Sequence, residues 1–269
     1  MNEQLKLMAI LAHPDDETLG FGGIFARYSS EGAGTFLVTA TRGEKGRFGR
    51  EKVSPGLEMV GKTREKELHE AAKVLGIREV HFLDYIDGDV DQAPPAEIVM
   101  RIAGYIRRIR PHVVLSFDPA GAYGHPDHIA ISQFAMASVV KAADPEFETS
   151  VNEAPHAVSK FYYLAWPEKK WNIYQSSFKE LASQVDGIKR TVKPWPDWNI
   201  TTRIDAKPFW RTVWDAVLCH QTQMAIFEKL ADLVESDHQA LWGSQELYRV
   251  FSTVNGGRNT ETDLFEGLR

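Results

Sequence analysis

Two stretches of the chain concentrate the residue types that grip a divalent ion and move protons: Ala12-His13-Pro14-Asp15-Asp16-Glu17 and Tyr123-Gly124-His125-Pro126-Asp127-His128. Imidazole nitrogen and carboxylate oxygen both suit a zinc-like cation, at about 2.0–2.2 Å. A short acidic residue at a helix start can serve only as a cap. That accounts for one of Asp15 and Asp16 and leaves His13 unexplained. In the second stretch Pro126 is placed to open a helix, which turns His125 and His128, three apart, toward one side. The most economical ligand set is His13, Asp16 and His128, because three protein ligands keep a coordination position open. Asp15, His125, Asp127 and Tyr123 then remain for proton transfer, orientation and charge stabilisation.

The elements around these stretches would bring them together. Apolar runs predict strands over Leu5–Ala12, Gly34–Ala40, Val80–Leu83, Val113–Phe117 and Lys160–Ala165. Between them, helical patterns cover Glu17–Glu31, Arg64–Gly76, Glu97–Arg110 and Pro126–Ala143, the last apolar almost all round and so expected to be buried. Strands alternating with helices predict an α/β, Rossmann-like fold: a mostly parallel sheet in the order 3-2-1-4-5 with helices on both faces. In that order the first and fourth strands are neighbours, and ligands bind where their carboxyl ends part. The two His/Asp stretches follow those two strands.

Beyond residue 165 the pattern is less regular. Asn199–Ile204 reads as a strand, and Pro208–Cys219 and Thr222–Val234 read as helices. All seven tryptophans lie at or after Trp166. The expectation is one domain over 1–269, with a core over 1–165 and a C-terminal elaboration over 166–269 that completes the substrate side. Plain core packing is the competing account of the tryptophans.

Several function classes fall away. Gly20, Gly22 and Gly23 follow a strand, but a dinucleotide site needs its glycines in the turn itself, and that turn is filled by His13-Pro14-Asp15-Asp16. Small residues for helix–sheet packing explain them better. The net charge of −6 argues against a nucleic-acid partner. The one basic cluster, Arg42 to Lys52, reads as a solvated loop or a contact for an anionic substrate. A single cysteine, Cys219, permits neither an internal disulfide nor a cysteine zinc site. The apolar run at Leu5–Ala12 is too short to span a bilayer and lacks a cleavage pattern, so a cytoplasmic protein is expected. A homo-oligomer is compatible with the sequence.

At these residues the chain resembles the PIG-L/LmbE-like family of zinc-dependent N-acetylglucosaminyl de-N-acetylases. The family's A-H-P-D-D-E stands at Ala12–Glu17 and its H-P-D-H at His125–His128. Shorter matches are Thr41-Arg42-Gly43-Glu44, Arg64-Glu65-Lys66-Glu67-Leu68 and His220-Gln221-Thr222-Gln223. The resemblance implies zinc ligands His13, Asp16 and His128, with Asp15 as general base. It implies that His125 stabilises the oxyanion or protonates the leaving amine, with Asp127 setting its charge and Tyr123 assisting. It points to Arg64, with Arg42 and Glu44 of the nearby loop, as substrate contacts. The implied reaction is removal of an acetyl group from an N-acetylglucosamine-type conjugate, a water activated by the ion attacking the amide. Iron(II) is the alternative ion, because this donor set serves both. Competing readings are an amidase for a thiol conjugate or other amide, an iron(II) oxygenase and a non-catalytic metal-binding module. The extra acid/base pair Asp15 and His125 favours hydrolysis over the oxygenase. His69, His81, His112, His156 and His238 read as structural or solvated, and His220 is evenly balanced.

Overall fold

The computed structural model describes residues 4–149, 151–177, 182–185, 187–257 and 259–269. In chain order the elements are β1 (Lys6–Leu11), α1 (Asp16–Ser30), β2 (Gly34–Thr41), α2 (Leu57–Leu75), β3 (Glu79–Tyr85), α3 (Pro95–Ile109), β4 (Val113–Ser116), a one-turn α4 (Gly121–Gly124), α5 (Pro126–Ala143) and β5 (Lys160–Leu164). Then come α6 (Glu168–Ser177), the hairpin β6 (Ala182–Val185) and β7 (Ile188–Thr191), β8 (Thr202–Asp205), α7 (Trp210–Cys219), α8 (Met224–Ala231), α9 (Glu235–Trp242) and β9 (Ser244–Ser252).

The main sheet runs β3-β2-β1-β4-β5-β9-β8. Its first five strands are parallel in the expected order, and β9 and β8 join antiparallel beyond β5. Central strands covered on both faces read as unbroken apolar runs rather than alternating ones. Accordingly Leu7 to Leu11 of β1 are wholly buried. One helix layer is α1, α2 and α7, and the other is α3 and α5. In α3 the stripe Ile98, Ile102, Ile106 and Ile109 faces inward. A Cβ on Gly22 would meet Val213 at 2.9 Å, and one on Gly23 would meet Ala206 at 2.7 Å. Gly22 thus lets α1 approach α7, and Gly23 lets it approach Ala206 and the backbone of Trp242, so close packing accounts for both.

Some expectations shift. α2 begins at Leu57, well before Arg64: its first turn is largely exposed at Leu57 and Met59, and only Val60 and Gly61 turn inward ahead of Arg64. α5 is not buried all round: Val140 is 57% exposed, and only one face enters the core. The expected helix over Thr222–Val234 is broken into a 3-10 turn, Gln221–Gln223, and α8. Glu67 of α2 holds both the backbone N–H and the hydroxyl of Thr222 at 2.7 Å, which fixes that turn. The strand expected over Asn199–Ile204 forms as β8. Elements α4, α6, α9, β6, β7 and β9 add to those expected. Among the described residues no helix is long and apolar enough to cross a membrane.

Candidate active site

β1 and β4 pair in parallel, Leu7 opposite Val113, and diverge at their carboxyl ends. His13 crosses that edge just after β1, Asp16 opens α1, and His128 sits in the first turn of α5. All three are buried. His13 Nδ1 lies 3.2 Å from His128 Nε2 and 3.8 Å from an Asp16 oxygen. His128 Nε2 lies 3.3 Å from Asp16 Oδ1. Ligand atoms about 2.1 Å from a tetrahedral ion stand about 3.4 Å apart. His13 Nδ1 and His128 Nε2 stand near that spacing from each other, and each has an Asp16 oxygen within 4 Å, Oδ2 for His13 and Oδ1 for His128. Asp16 Oδ2 also accepts from the backbone N–H of His13 at 2.7 Å and Ala12 at 3.2 Å, which fixes the carboxylate's direction. Burial pushes the Asp16 carboxyl up to about 7, so the protein alone under-compensates its charge. Burial, with His125 and His13 close by, pushes His128 well down, so its lone pair stays free for a ligand.

Among the described residues His13 belongs to two clusters of ligand atoms, one with His125 and His128 and one with Asp87 and Asp127. The second lies on its other nitrogen. His13 Nε2 meets Asp127 Oδ2 at 3.0 Å and Asp87 Oδ1 at 3.1 Å. Two carboxylates there assign a proton to Nε2 and, with Asp16, hold the ring well above its ordinary pKa against burial, so an ion at Nδ1 would displace a proton from that nitrogen. Asp127 also accepts from the backbone N–H groups of Gly88 at 2.6 Å and Val90 at 3.2 Å. Its carboxylate thus holds His13, whereas the expectation had put it on His125. Its influence on His125 is through space, favouring the charged ring.

Asp15 caps α1 with φ 107°, in the left-handed half of the map. Such a conformation costs a non-glycine residue about 1–3 kcal/mol and is kept only where surroundings enforce it. The Asp15 N–H donates to Glu17 Oε2 at 2.9 Å, and Arg64 Nη2 lies 3.1 Å from Asp15 Oδ2. Burial raises the Asp15 carboxyl, against the pull of Arg64 and His220, giving it more basicity than an ordinary aspartate. Arg64 is buried and also donates to the Pro14 and Gly43 carbonyls. Its guanidinium is largely spent on aiming Asp15 and joining two loops, although it still reaches the cavity wall.

His125 precedes α5, and its Nδ1 accepts from the Asp127 backbone N–H at 3.2 Å. That assigns the proton of the neutral ring to Nε2. Burial and the neighbouring His13 lower His125 to about 4, so it is neutral at neutral pH. Tyr123 follows the sharp backbone reversal at Ala122, φ 59°. Its ring stands edge-on to His128, and burial among carboxylates keeps its hydroxyl protonated.

A cavity of about 660 Å³ opens over these groups. Ten residues were expected at the site. Eight fall around this crevice: His13, Asp15, Asp16, Arg64, Tyr123, His125 and His128 line the cavity, and Asp127 stands behind His13. Arg42 and Glu44 do not line it. Arg42 is turned outward onto Glu65 at 2.6 Å and Asp84 at 2.5 Å, over the Phe82 ring. Glu44 is buried, accepting from the Asp87 backbone N–H at 3.2 Å. Both secure the loop after β2. Asp87 escaped the sequence reading. Its one signal is that β3 ends on the same sheet edge as β1 and β4. Residues 166–227 add Trp166, Tyr174, Gln184, Val185, Gln223 and Phe227 to the cavity wall. The other histidines behave structurally: His81 stacks on Tyr105, His238 on Trp210, and His69 packs edge-on to Phe82. His112 and His156 bond to backbone groups.

The family model described as PIG-L: GlcNAc-PI de-N-acetylase matches residues 8–139, which span both ligand-bearing stretches. The 1D-myo-inositol 2-acetamido-2-deoxy-alpha-D-glucopyranoside deacetylase of Kineococcus radiotolerans is 31% identical, over 100% of this chain and 84% of its own. The N,N'-diacetylchitobiose deacetylase of Pyrococcus horikoshii shares the fold, with a TM-score of 0.69 and 20% identity over 91% of this chain and 83% of that one. So does the 4-carboxy-2-hydroxymuconate hydratase GalB of Pseudomonas putida, with a TM-score of 0.67 and 20% identity over 94% of this chain and 99% of that one. The fold alone therefore does not select a reaction. The sequence relationship does what the fold cannot, and it agrees with the residues gathered at the crevice: the chain belongs to the GlcNAc-PI de-N-acetylase (PIG-L) family.

Proposed function

We propose that the protein is a metal-dependent hydrolase that removes the acetyl group from an N-acetylglucosamine-type sugar conjugate. The observation that carries this reading is the convergence of His13 Nδ1, His128 Nε2 and the Asp16 carboxylate within 4 Å of one another, with Asp15 beside them. Zinc suits the set, and iron(II) shares it. When bound, the ion would polarise the acetamide carbonyl and lower the pKa of an adjacent water.

The chain's own groups supply the rest. Asp15, made more basic by burial, takes a proton from the attacking water at its carboxylate. Arg64 keeps that carboxylate aimed. His125 Nε2–H and the Tyr123 hydroxyl donate to the oxygen where negative charge develops. Asp15 then passes the proton it took from the water to the departing nitrogen and returns to its carboxylate form, while His125 stays neutral. Acetate and a free amino sugar result. The segment 166–269 completes the substrate side within a single domain, a reading supported by its share of the cavity wall.

The test is a panel of N-acetylated sugars and glycosides assayed for released amine. Amine release is expected with zinc or iron(II), lost on chelation and restored on adding the ion back. Asp15→Asn is expected to retain the ion and lose about 10²–10⁴ in turnover. Release untouched by chelation, or none from any sugar, would overturn the reading.

A further inference from the structure

The left-handed backbone of Asp15 is held from a distant part of the chain. Glu17, wholly buried, receives the Asp15 N–H on Oε2 at 2.9 Å. Its other oxygen, Oε1, faces His220 Nε2 at 2.8 Å and accepts from the Thr18 hydroxyl. His220 is also wholly buried, and its Nδ1 has no hydrogen-bond partner among the described residues. Apart from a 3.3 Å approach to the Thr18 hydroxyl, its ring is committed to Glu17. The backbone around His220 is anchored. Its N–H donates to the Val217 carbonyl, its carbonyl accepts from Gln223, and Thr222 is bonded twice to Glu67.

We propose that His220 is a positioning residue for Asp15, acting through Glu17. The inference rests on Asp15 being the base, and it goes beyond that reading by assigning the group that keeps the base in register. An aspartate left to itself relaxes toward negative φ, which would swing its carboxylate off the cavity. Glu17 resists this only while its own rotamer is fixed, and His220 is the side chain from outside α1 that fixes it. A displacement of about 1 Å at a reacting group can cost about 10²-fold in rate.

The experiment uses the ion-loaded protein and its His220→Ala and His220→Gln variants. Glutamine can present its Nε2 roughly where the imidazole Nε2 stood. His220→Ala is expected to lower kcat by about 10²-fold with KM and ion content unchanged. His220→Gln should recover most of the loss. In the Asp15→Asn background His220→Ala should lower the residual rate no further. Amide hydrogen exchange reads the hold without reference to turnover: the Asp15 N–H is expected to be protected in the native protein and in His220→Gln, and to exchange at least about tenfold faster in His220→Ala. If His220→Ala does not fold, His220→Asn, too short to reach Glu17, supplies the same contrast. Unchanged kcat and Asp15 exchange, parallel loss of kcat and ion, failure of glutamine to rescue, or additivity with Asp15→Asn would each overturn the proposal. A native protein that releases no amine but shows the exchange pattern would sink the deacetylase reading and leave the positioning intact.

Discussion

The two ring nitrogens of His13 do different work: Nδ1 faces His128 and Asp16, and Nε2 is gripped from behind. Asp87 and Asp127 grip Nε2, which fixes the ring and enriches Nδ1 as a donor. Asp87→Asn is expected to weaken ion affinity about 10–100-fold, read by competition with a chelator, with activity returning at saturating ion. Unaltered affinity would mean that Asp127 alone suffices. The ligands themselves were legible in sequence, because each adjoins a strand end and strands 1 and 4 must be neighbours. Asp87 was not. It sits among Asp84, at the end of β3, and Asp89 and Asp91 beyond it, and nothing in their spacing says which one turns inward. The partner of Asp127 was also hidden, since adjacency in sequence suggested His125 while the fold brought His13.

At the scale of elements, the three short matches prove to be one junction. Arg64 of α2 is wedged against Gly43, Glu67 of the same helix holds Thr222, and Gln223 donates to the Arg47 carbonyl at 2.8 Å. Gly43 has φ +67°, and a Cβ there would lie 2.0 Å from Arg64 Nη1. Gly49 has a similar φ, +61°, with nothing within 4 Å. Gly43→Ala is therefore expected to cost more than about 1 kcal/mol in a urea titration and to lower kcat by displacing Arg64 from Asp15. Gly49→Ala should carry only the backbone cost and leave kcat alone. Equal kinetics in the two would disprove the wedge. The central strands β1, β2 and β4 were readable because burial on both faces leaves them no charged residue after Lys6. β9 was not, because Glu246 in its interior is 5% exposed and meets buried Lys170 at 2.7 Å. A charge neutralised in the core looks like a surface residue in sequence. Lys160, wholly buried in β5, is a second such charge, although the apolar run after it still marked that strand.

Across the whole molecule, the sheet's antiparallel extension is sewn to the core by Glu261. Its carboxylate meets Lys160 at 2.8 Å, Tyr162 at 2.9 Å, Thr202 at 3.0 Å, Asn255 at 2.7 Å and Arg249 at 2.9 Å. Burial alone would raise this carboxyl, but hydrogen bonds from Asn255, Lys160 and Tyr162 outweigh it and hold it below its ordinary 4.5. A depressed carboxyl stabilises fully above its unfolded value and loses that contribution as pH falls through the folded one. Unfolding free energies should accordingly drop below about pH 4.5 in the native protein. Glu261→Gln should flatten that decline and cost about 3–5 kcal/mol at neutral pH, leaving Lys160 unpaired. Parallel pH curves for the two proteins would show that Glu261 is not the source.

The ligand-bearing histidines are 115 residues apart in the chain, yet the strands they follow are already hydrogen-bonded to each other. An ion gripping His13, Asp16 and His128 would close only the rim of a seam whose depth is sewn by backbone. Its binding energy, about 2.7 kcal/mol at a hundredfold excess over Kd, would tighten the mouth of the crevice while the strands below stay paired. Ion starvation would then leave an intact shell with a slack lip, ready to reload without refolding.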